Sequence, residues 1–233
     1  MDTHKRVNNM QIILDNVNKY YKVGKEKIHV LKDLNLKVEY GEFLMIMGKS
    51  GSGKTTMLNI LGFLDKLDSG KYYFDGKDIS NLSENKRSEY RAHYAGFVFQ
   101  QFNLIDTLTV AENIEIPLIY SGMKDKNKRM ELVNKRLEEV GLKEKANSYP
   151  NHLSGGQQQR IAIARALVNN PEIIFADEPT GALDSETGEN IMALLTELNK
   201  NGTTIIMVTH DHDMTKYATR VVSLKDGCFV KGV

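Results

Sequence analysis

The octapeptide Gly48-Lys49-Ser50-Gly51-Ser52-Gly53-Lys54-Thr55 satisfies G-x-x-x-x-G-K-[ST] in full. It follows the continuous apolar run at 43–47 and opens a segment, 54–63, that reads as a helix. An apolar run without alternation, bounded by glycines, suits a strand buried on both faces of a parallel sheet. Glycines let backbone N–H groups turn inward around phosphate oxygens. The helix that follows presents its positive end to the same anion. In such loops the lysine, here Lys54, sits beside the β and γ phosphates, and the next hydroxyl, Thr55, ligates magnesium. The predicted nucleotide contacts are therefore Gly48, Lys49, Ser50, Gly51, Ser52, Gly53, Lys54, Thr55 and Thr56.

The rest of the chain is consistent with that sheet. Strands are predicted at 12–17, 28–38, 71–74, 96–99, 173–176, 203–208, 221–224 and 228–230. Asp75-Gly76 and Asp226-Gly227 mark hairpin turns. Helices are predicted at 83–93 and 186–199, and three more at 109–119, 125–140 and 154–168 with no strand among them. Strands alternating with helices at both ends argue for an α/β layer. The strand-free stretch reads as a helical insertion.

Charge and composition narrow the function. There are 31 Lys and Arg against 30 Asp and Glu, so the formal net charge is +1. That balance gives neither the basic footprint of a nucleic-acid binder nor a polybasic patch for anionic lipid. Cys228 is the single cysteine, which excludes an intrachain disulfide and a cysteine-rich metal site. It reads as a small apolar filler. Residues 1–10 are polar and lack the apolar core of a secretion signal. No apolar run approaches the about 20 residues of a membrane-spanning helix. A cytoplasmic protein is expected, with any membrane role supplied by a partner.

Four further groups lie at predicted strand ends, where open α/β sheets bind ligands. Asp177 closes the strand at 173–176 and is placed to hold magnesium. Glu178 follows it, projects differently, and can orient or deprotonate an attacking water. Gln100 follows the strand at 96–99 and can contact the metal or its water. His210 lies just past the strand at 203–208 and can donate to a γ-phosphate. A second glycine pair occurs in Leu153-Ser154-Gly155-Gly156-Gln157. Ser154 is a good helix N-cap, and the glycines permit close backbone approach. The chain thus carries a second helix terminus suited to phosphate.

These motifs, in this order and across nearly the whole chain, resemble the ATP-binding cassette family. Ala182-Leu183-Asp184 belongs to the same pattern. The resemblance implies an α/β P-loop NTPase core with a mostly parallel sheet, an antiparallel β subdomain and an inserted α-helical subdomain. Residues 1–99 and 166–233 would form the core, and 100–165 the insertion carrying the signature motif. It also implies ATP and Mg2+, and an ATP-dependent head-to-tail homodimer. Each ATP would be shared between one subunit's phosphate loop and Leu153, Ser154, Gly155, Gly156 and Gln157 of the other, with Asp184 crossing the interface. Tyr21 aligns with the residue that stacks on adenine, and neighbouring Tyr20 is its rival. The runs at 96–104, 109–113 and 179–184, and the ending Ala218-Thr219-Arg220, look like the branch that holds the ATPases of macrolide exporters, lipoprotein-releasing complexes and FtsE-type division factors. That branch implies an integral membrane permease as partner and a place on the inner face of the cell membrane. Phe102, Leu104 and Ile105 are where a partner helix would feel the cassette move. Efflux of a drug or peptide, or extraction of a lipoprotein, is the expected work. Transmembrane signalling of the FtsE type is the alternative.

Overall fold

In the computed structural model, which describes residues 9–230, strand β3 (Phe43–Met47) lies inside a six-stranded sheet and all five of its residues are buried. The other strands of that sheet are β6 (Ala95–Phe99), β7 (Ile173–Asp177), β8 (Thr204–Thr209), β9 (Arg220–Lys225) and β10 (Cys228–Val230). Their order is β10-β9-β3-β8-β7-β6, with every pair parallel except the terminal β9–β10 hairpin. Side chains of a strand alternate between its faces. Leu44, Ile46, Phe175, Ile206 and Val208 accordingly enter one core, and Phe43, Met45, Ile174, Ala176 and Ile205 the other. Two covered faces explain why these strands read as unbroken apolar runs.

A second sheet, β2-β1-β4-β5, is antiparallel throughout. It comprises β1 (Met10–Val23), β2 (Glu26–Glu39), β4 (Ser69–Phe74) and β5 (Lys77–Asp78). Its inner residues, among them Ile12, Leu14, Leu36 and Phe74, close the first core over helix α1 (Lys54–Leu61). The β1–β2 hairpin runs well beyond the segments expected from sequence. Its tip, 18–27, is mostly polar and carries no apolar alternation, so the strand pattern is hidden there. Asp75 and Gly76 both take positive φ, 48° and 72°, as the two-residue hairpin turn requires.

Helices α3 (Val110–Tyr120), α4 (Lys126–Glu139) and α5 (Gly155–Leu167) build a third core from Val110, Ile114, Leu118, Val133, Leu137 and Ile161. Helix α5 belongs to two cores, since its Ile163, Ala166 and Leu167 pack on the large sheet. The expected division at 165/166 falls inside this helix. Helices α2 (Glu84–Tyr94) and α6 (Ser185–Lys200) complete the chain. Two expectations are adjusted. Cys228 is exposed on the outer strand β10, so it fills no core. The polar stretch at 1–10 lies almost wholly outside the described residues. Among the described residues no helix is long and apolar enough to cross a membrane.

Candidate nucleotide site

Between β3 and α1 the chain turns through Gly51 and Gly53, with φ of 79° and 101°. Gly53 caps α1. Two glycines are fixed by packing as well. A Cβ at Gly48 would fall 2.5 Å from the Leu224 carbonyl oxygen, and one at Gly53 would fall 2.9 Å from Leu31. The loop thus lies flat against β9 and β2. Lys54 is buried, and its ammonium donates to the carbonyls of Gly48 and Lys49 at 2.7 and 3.1 Å. This holds the charge across the mouth of the loop. Ser52 Oγ is buried without a hydrogen-bond partner. Such a hydroxyl is costly to bury unpaired, and a phosphate oxygen would satisfy it. Lys49, Ser50 and Gly51 form the exposed rim, and Thr55 is also exposed.

Asp177, at the end of β7, lies in hydrogen-bonding reach of the Thr55 hydroxyl, and burial pushes its carboxyl above the usual range. A carboxylate and a hydroxyl beside the phosphate loop are hard oxygen donors. Such a pair suits magnesium, which takes few protein ligands and completes its shell with phosphate and water. Glu178 takes a left-handed backbone, φ 45°. Its N–H donates to Val208 O at 2.9 Å, and its own carbonyl accepts from Gly181 N–H at 3.0 Å. The twist separates its side chain from that of Asp177. Glu178 Oε2 lies 2.8 Å from His210 Nδ1, and Oε1 lies 3.9 Å from Lys54 Nζ. A carboxylate, an imidazole and an ammonium thus meet at the sheet's carboxyl edge. Gln100 is exposed, and its amide rests against Gly181, where a Cβ would come within 2.8 Å of Nε2.

The two tyrosines point to opposite faces of β1. The Tyr20 ring stacks on His29, with centroids 4.1 Å apart. Tyr21 is 38% exposed, and its hydroxyl donates to Asp65 at 2.7 Å. That hydroxyl is also within reach of Thr56. Burial and the neighbouring Asp65 push its pKa up to about 12.

The second glycine pair forms a separate site. Ser154 caps α5 in a reciprocal capping box with Gln157. Leu153 is buried in the helical core. Gly155 lies against Leu183 and Phe102. A Cβ at Gly156 would fall 2.4 Å from Thr187 Cγ2. Asp184 caps α6, accepting from the Thr187 N–H and hydroxyl at 2.9 and 2.8 Å. Among the described residues no hydrogen bond or ion pair joins 153–157 to 48–56. Within one chain, then, the two glycine-rich termini do not meet.

Some contributors escape the motif reading. Gln159, fully buried on α5, donates to the backbone carbonyls of Phe99, the last residue of β6, and of Pro179 in the turn after β7. Its spacing to Ile163 places it on the inward face, a signal that was present in the sequence. Arg165 donates to the carbonyls of Phe102 and Asn103, both at positive φ. It lines a groove of about 790 Å³ with Phe97, Phe99, Ile105, Ile116 and Tyr120. Of the three apolar residues expected to meet a partner helix, only Ile105 reaches this groove. Leu104 packs on the helical core, and Phe102 lies beside Gly155.

A profile described as ABC transporter matches residues 31–181, more than half of the chain. The chain belongs to the ABC transporter family. An uncharacterised ABC transporter ATP-binding protein of Methanocaldococcus jannaschii, MJ1508, is 54% identical over 93% of this chain and 96% of its own length. The macrolide export ATP-binding/permease protein MacB of Aggregatibacter actinomycetemcomitans is 49% identical over 94% of this chain. That match spans only 34% of MacB, so the ABC chain described here corresponds to about a third of that relative. Among solved structures, the ATP-binding cassette MJ0796 in a dimeric post-hydrolysis state bound to ADP and Pi superposes with a TM-score of 0.87. It is 50% identical, and the match covers 94% of this chain and 97% of that one. The fold is that of an ABC ATPase, and the chain is an ATP-binding, ATP-hydrolysing ABC subunit of the MacB and MJ0796 kind.

Proposed function

We propose that two copies of this chain close head to tail on two ATP molecules and that the closure drives a separate integral membrane permease. One observation carries the reading. The chain has two glycine-rich helix termini suited to phosphate, and they do not meet within one copy. In each shared site, residues 48–56 of one copy would cradle the phosphates, with Lys54 and Ser52 Oγ meeting phosphate oxygens. Ser154, Gly156 and Gln157 of the second copy would supply donors from α5, and Asp184 would lie at the seam. Tyr21 is the better platform for adenine, because the Tyr20 ring is engaged by His29. Thr55, Asp177 and Gln100 would hold magnesium, which neutralises charge developing between the β and γ phosphates. Glu178 would orient the water and accept its proton, and His210, 2.8 Å away, would steady the γ-phosphate. Water then bonds to the γ-phosphorus as the bridge to ADP breaks, and loss of that phosphate releases the second copy.

The groove beside α3 fits one helix of a permease, which would keep the chain at the inner face of the cell membrane. The MacB relatives favour export of a drug or peptide, or extraction of a lipoprotein, as the work done. Glu178→Gln tests the site. It should keep ATP binding, accumulate an ATP-bound dimer in size-exclusion chromatography, and lose turnover. Full turnover in that variant would remove Glu178 from the chemistry.

A further inference from the structure

We infer that Gln159 is a positioning residue that ties both catalytic loops to the signature helix. The inference rests on the roles proposed above for Gln100 and Glu178. Gln159 has no exposed surface. Its Nε2 donates to the carbonyl of Pro179, the residue directly after Glu178. The same amide reaches the carbonyl of Phe99, directly before Gln100, at 3.4 Å. The two carbonyls set the amide's orientation, because its own oxygen would be repelled there. Gln159 stands five residues beyond the Ser154 cap on a continuous helix, about 7.5 Å along its axis at 1.5 Å per residue. Movement of the capped end of α5 is therefore passed through one rigid body to the backbone next to both candidate catalytic side chains.

A packing role alone does not account for this residue. Gln159 Oε1 is buried and has no partner, an arrangement that disfavours the folded state. Methionine has nearly the same shape and no donor, so it keeps the packing while releasing both carbonyls. The amide's two donor hydrogens instead face the end of β6 at Phe99 and the turn at Pro179. Its neighbour on the same helix works alike: Arg165 holds the carbonyls of Phe102 and Asn103, so α5 grips the segment after β6 at two points.

The test compares Gln159→Met with the unsubstituted chain. The phosphate loop is untouched, so affinity of the single copy for a fluorescent ATP analogue should stay within about two-fold, while kcat falls about ten-fold or more. The Hill coefficient for ATP should fall toward one. Loss of folded protein would instead scale kcat with the active fraction and leave the Hill coefficient unchanged. Turnover and Hill coefficient within about two-fold of the parent in folded Gln159→Met protein overturn the inference. If the parent itself hydrolyses ATP at full rate as a single copy, the dimer reading fails instead, whatever Gln159 does. Should Gln159→Met not fold, hydrogen exchange on the Glu178→Gln chain decides. Residues 99–103 and 179–183 should gain protection together on adding ATP, and a gain in one segment alone overturns the link.

Discussion

Gly156→Ala separates what this glycine does inside one copy from what it does across the dimer. The added Cβ would lie 2.4 Å from Thr187 Cγ2. Thr187 cannot simply rotate away, because its hydroxyl and N–H both donate to Asp184, the cap of α6. Forcing a methyl into a packed contact costs about 1–3 kcal/mol. Alanine returns about 0.4–1 kcal/mol by restricting the unfolded chain. The net loss is therefore at most about 2.6 kcal/mol, with a midpoint of about 1.3 kcal/mol, and that midpoint lowers Tm by about 3–5 °C for a chain of this size. Thermal denaturation followed by circular dichroism, without nucleotide, measures it. Adding Thr187→Ser removes Cγ2 and keeps the hydroxyl. The nearest remaining atoms of residue 187, Cβ and Oγ1, then stand 3.7 and 3.8 Å from the new methyl, which is ordinary contact. The double variant should recover the parent's Tm to within about 0.5 kcal/mol, as expected when the strain is confined to one neighbouring pair. Hydrolysis should return with it, because the methyl points toward α6. Failure of Thr187→Ser to restore Tm would refute the steric reasoning. Restored stability without restored hydrolysis would show that glycine is needed on the partner side.

Tyr21→Ala should weaken ATP binding by about 5- to 150-fold, the equivalent of the about 1–3 kcal/mol that base–aromatic stacking contributes. Tyr20→Ala should leave that affinity nearly unchanged and lower Tm through loss of the His29 stack; isothermal titration of both variants decides, and the reverse ranking would make Tyr20 the platform. Asp184→Asn should leave stability near neutral pH almost intact, since asparagine caps helices well. Its effect appears in acid. The Thr187 backbone N–H and hydroxyl hold the Asp184 carboxyl below the usual carboxylate range, so the stability it contributes is present above that range and lost as pH falls below it. Urea unfolding between pH 6 and pH 3 should therefore show a shallower acid decline in Asp184→Asn, and identical slopes would count against the cap as drawn.

The architecture was legible where one physical cause controlled the pattern. Burial on both faces makes β3, β7 and β8 continuous apolar runs, and a two-residue turn at positive φ makes Asp75-Gly76 stand out. The β1–β2 hairpin extends beyond what the pattern predicts, because its tip from 18 to 27 is mostly polar and carries no hydrophobic alternation. The ATP-binding motif was legible because phosphate binding needs glycine, lysine and a hydroxyl at fixed spacing. Tyr20 and Tyr21 could not be separated by sequence, since adjacent strand residues differ only in face. In the fold the Tyr20 ring stacks on His29, and Lys19 Nζ lies 5.0 Å from the Tyr21 ring centroid. Gln159 went unnoticed for a related reason. Its spacing to Ile163 marks its inward face, but the backbone carbonyls it binds leave no trace in a sequence.

Anchoring by backbone carbonyls bears on how such a cassette would transmit force. Gly48 to Gly53, Gln100 and Glu178 sit on connecting segments, and such segments alone are compliant. Here each loop is fastened by something rigid: Gly48 lies flat against β9, the Glu178 backbone is bonded to β8, and the segments at 99–103 and 179 hang from α5. Helix α5 packs into both the sheet core and the helical core, so it cannot move without shifting one against the other. A ligand that pulls on the cap at Ser154 therefore acts on Gln100, on Glu178 and on the groove lined by Arg165 through the same body. Coupling of this kind does not require a chain of side-chain contacts across the molecule. It requires one stiff element whose two ends face different partners, and α5 is the element of this fold that meets the condition.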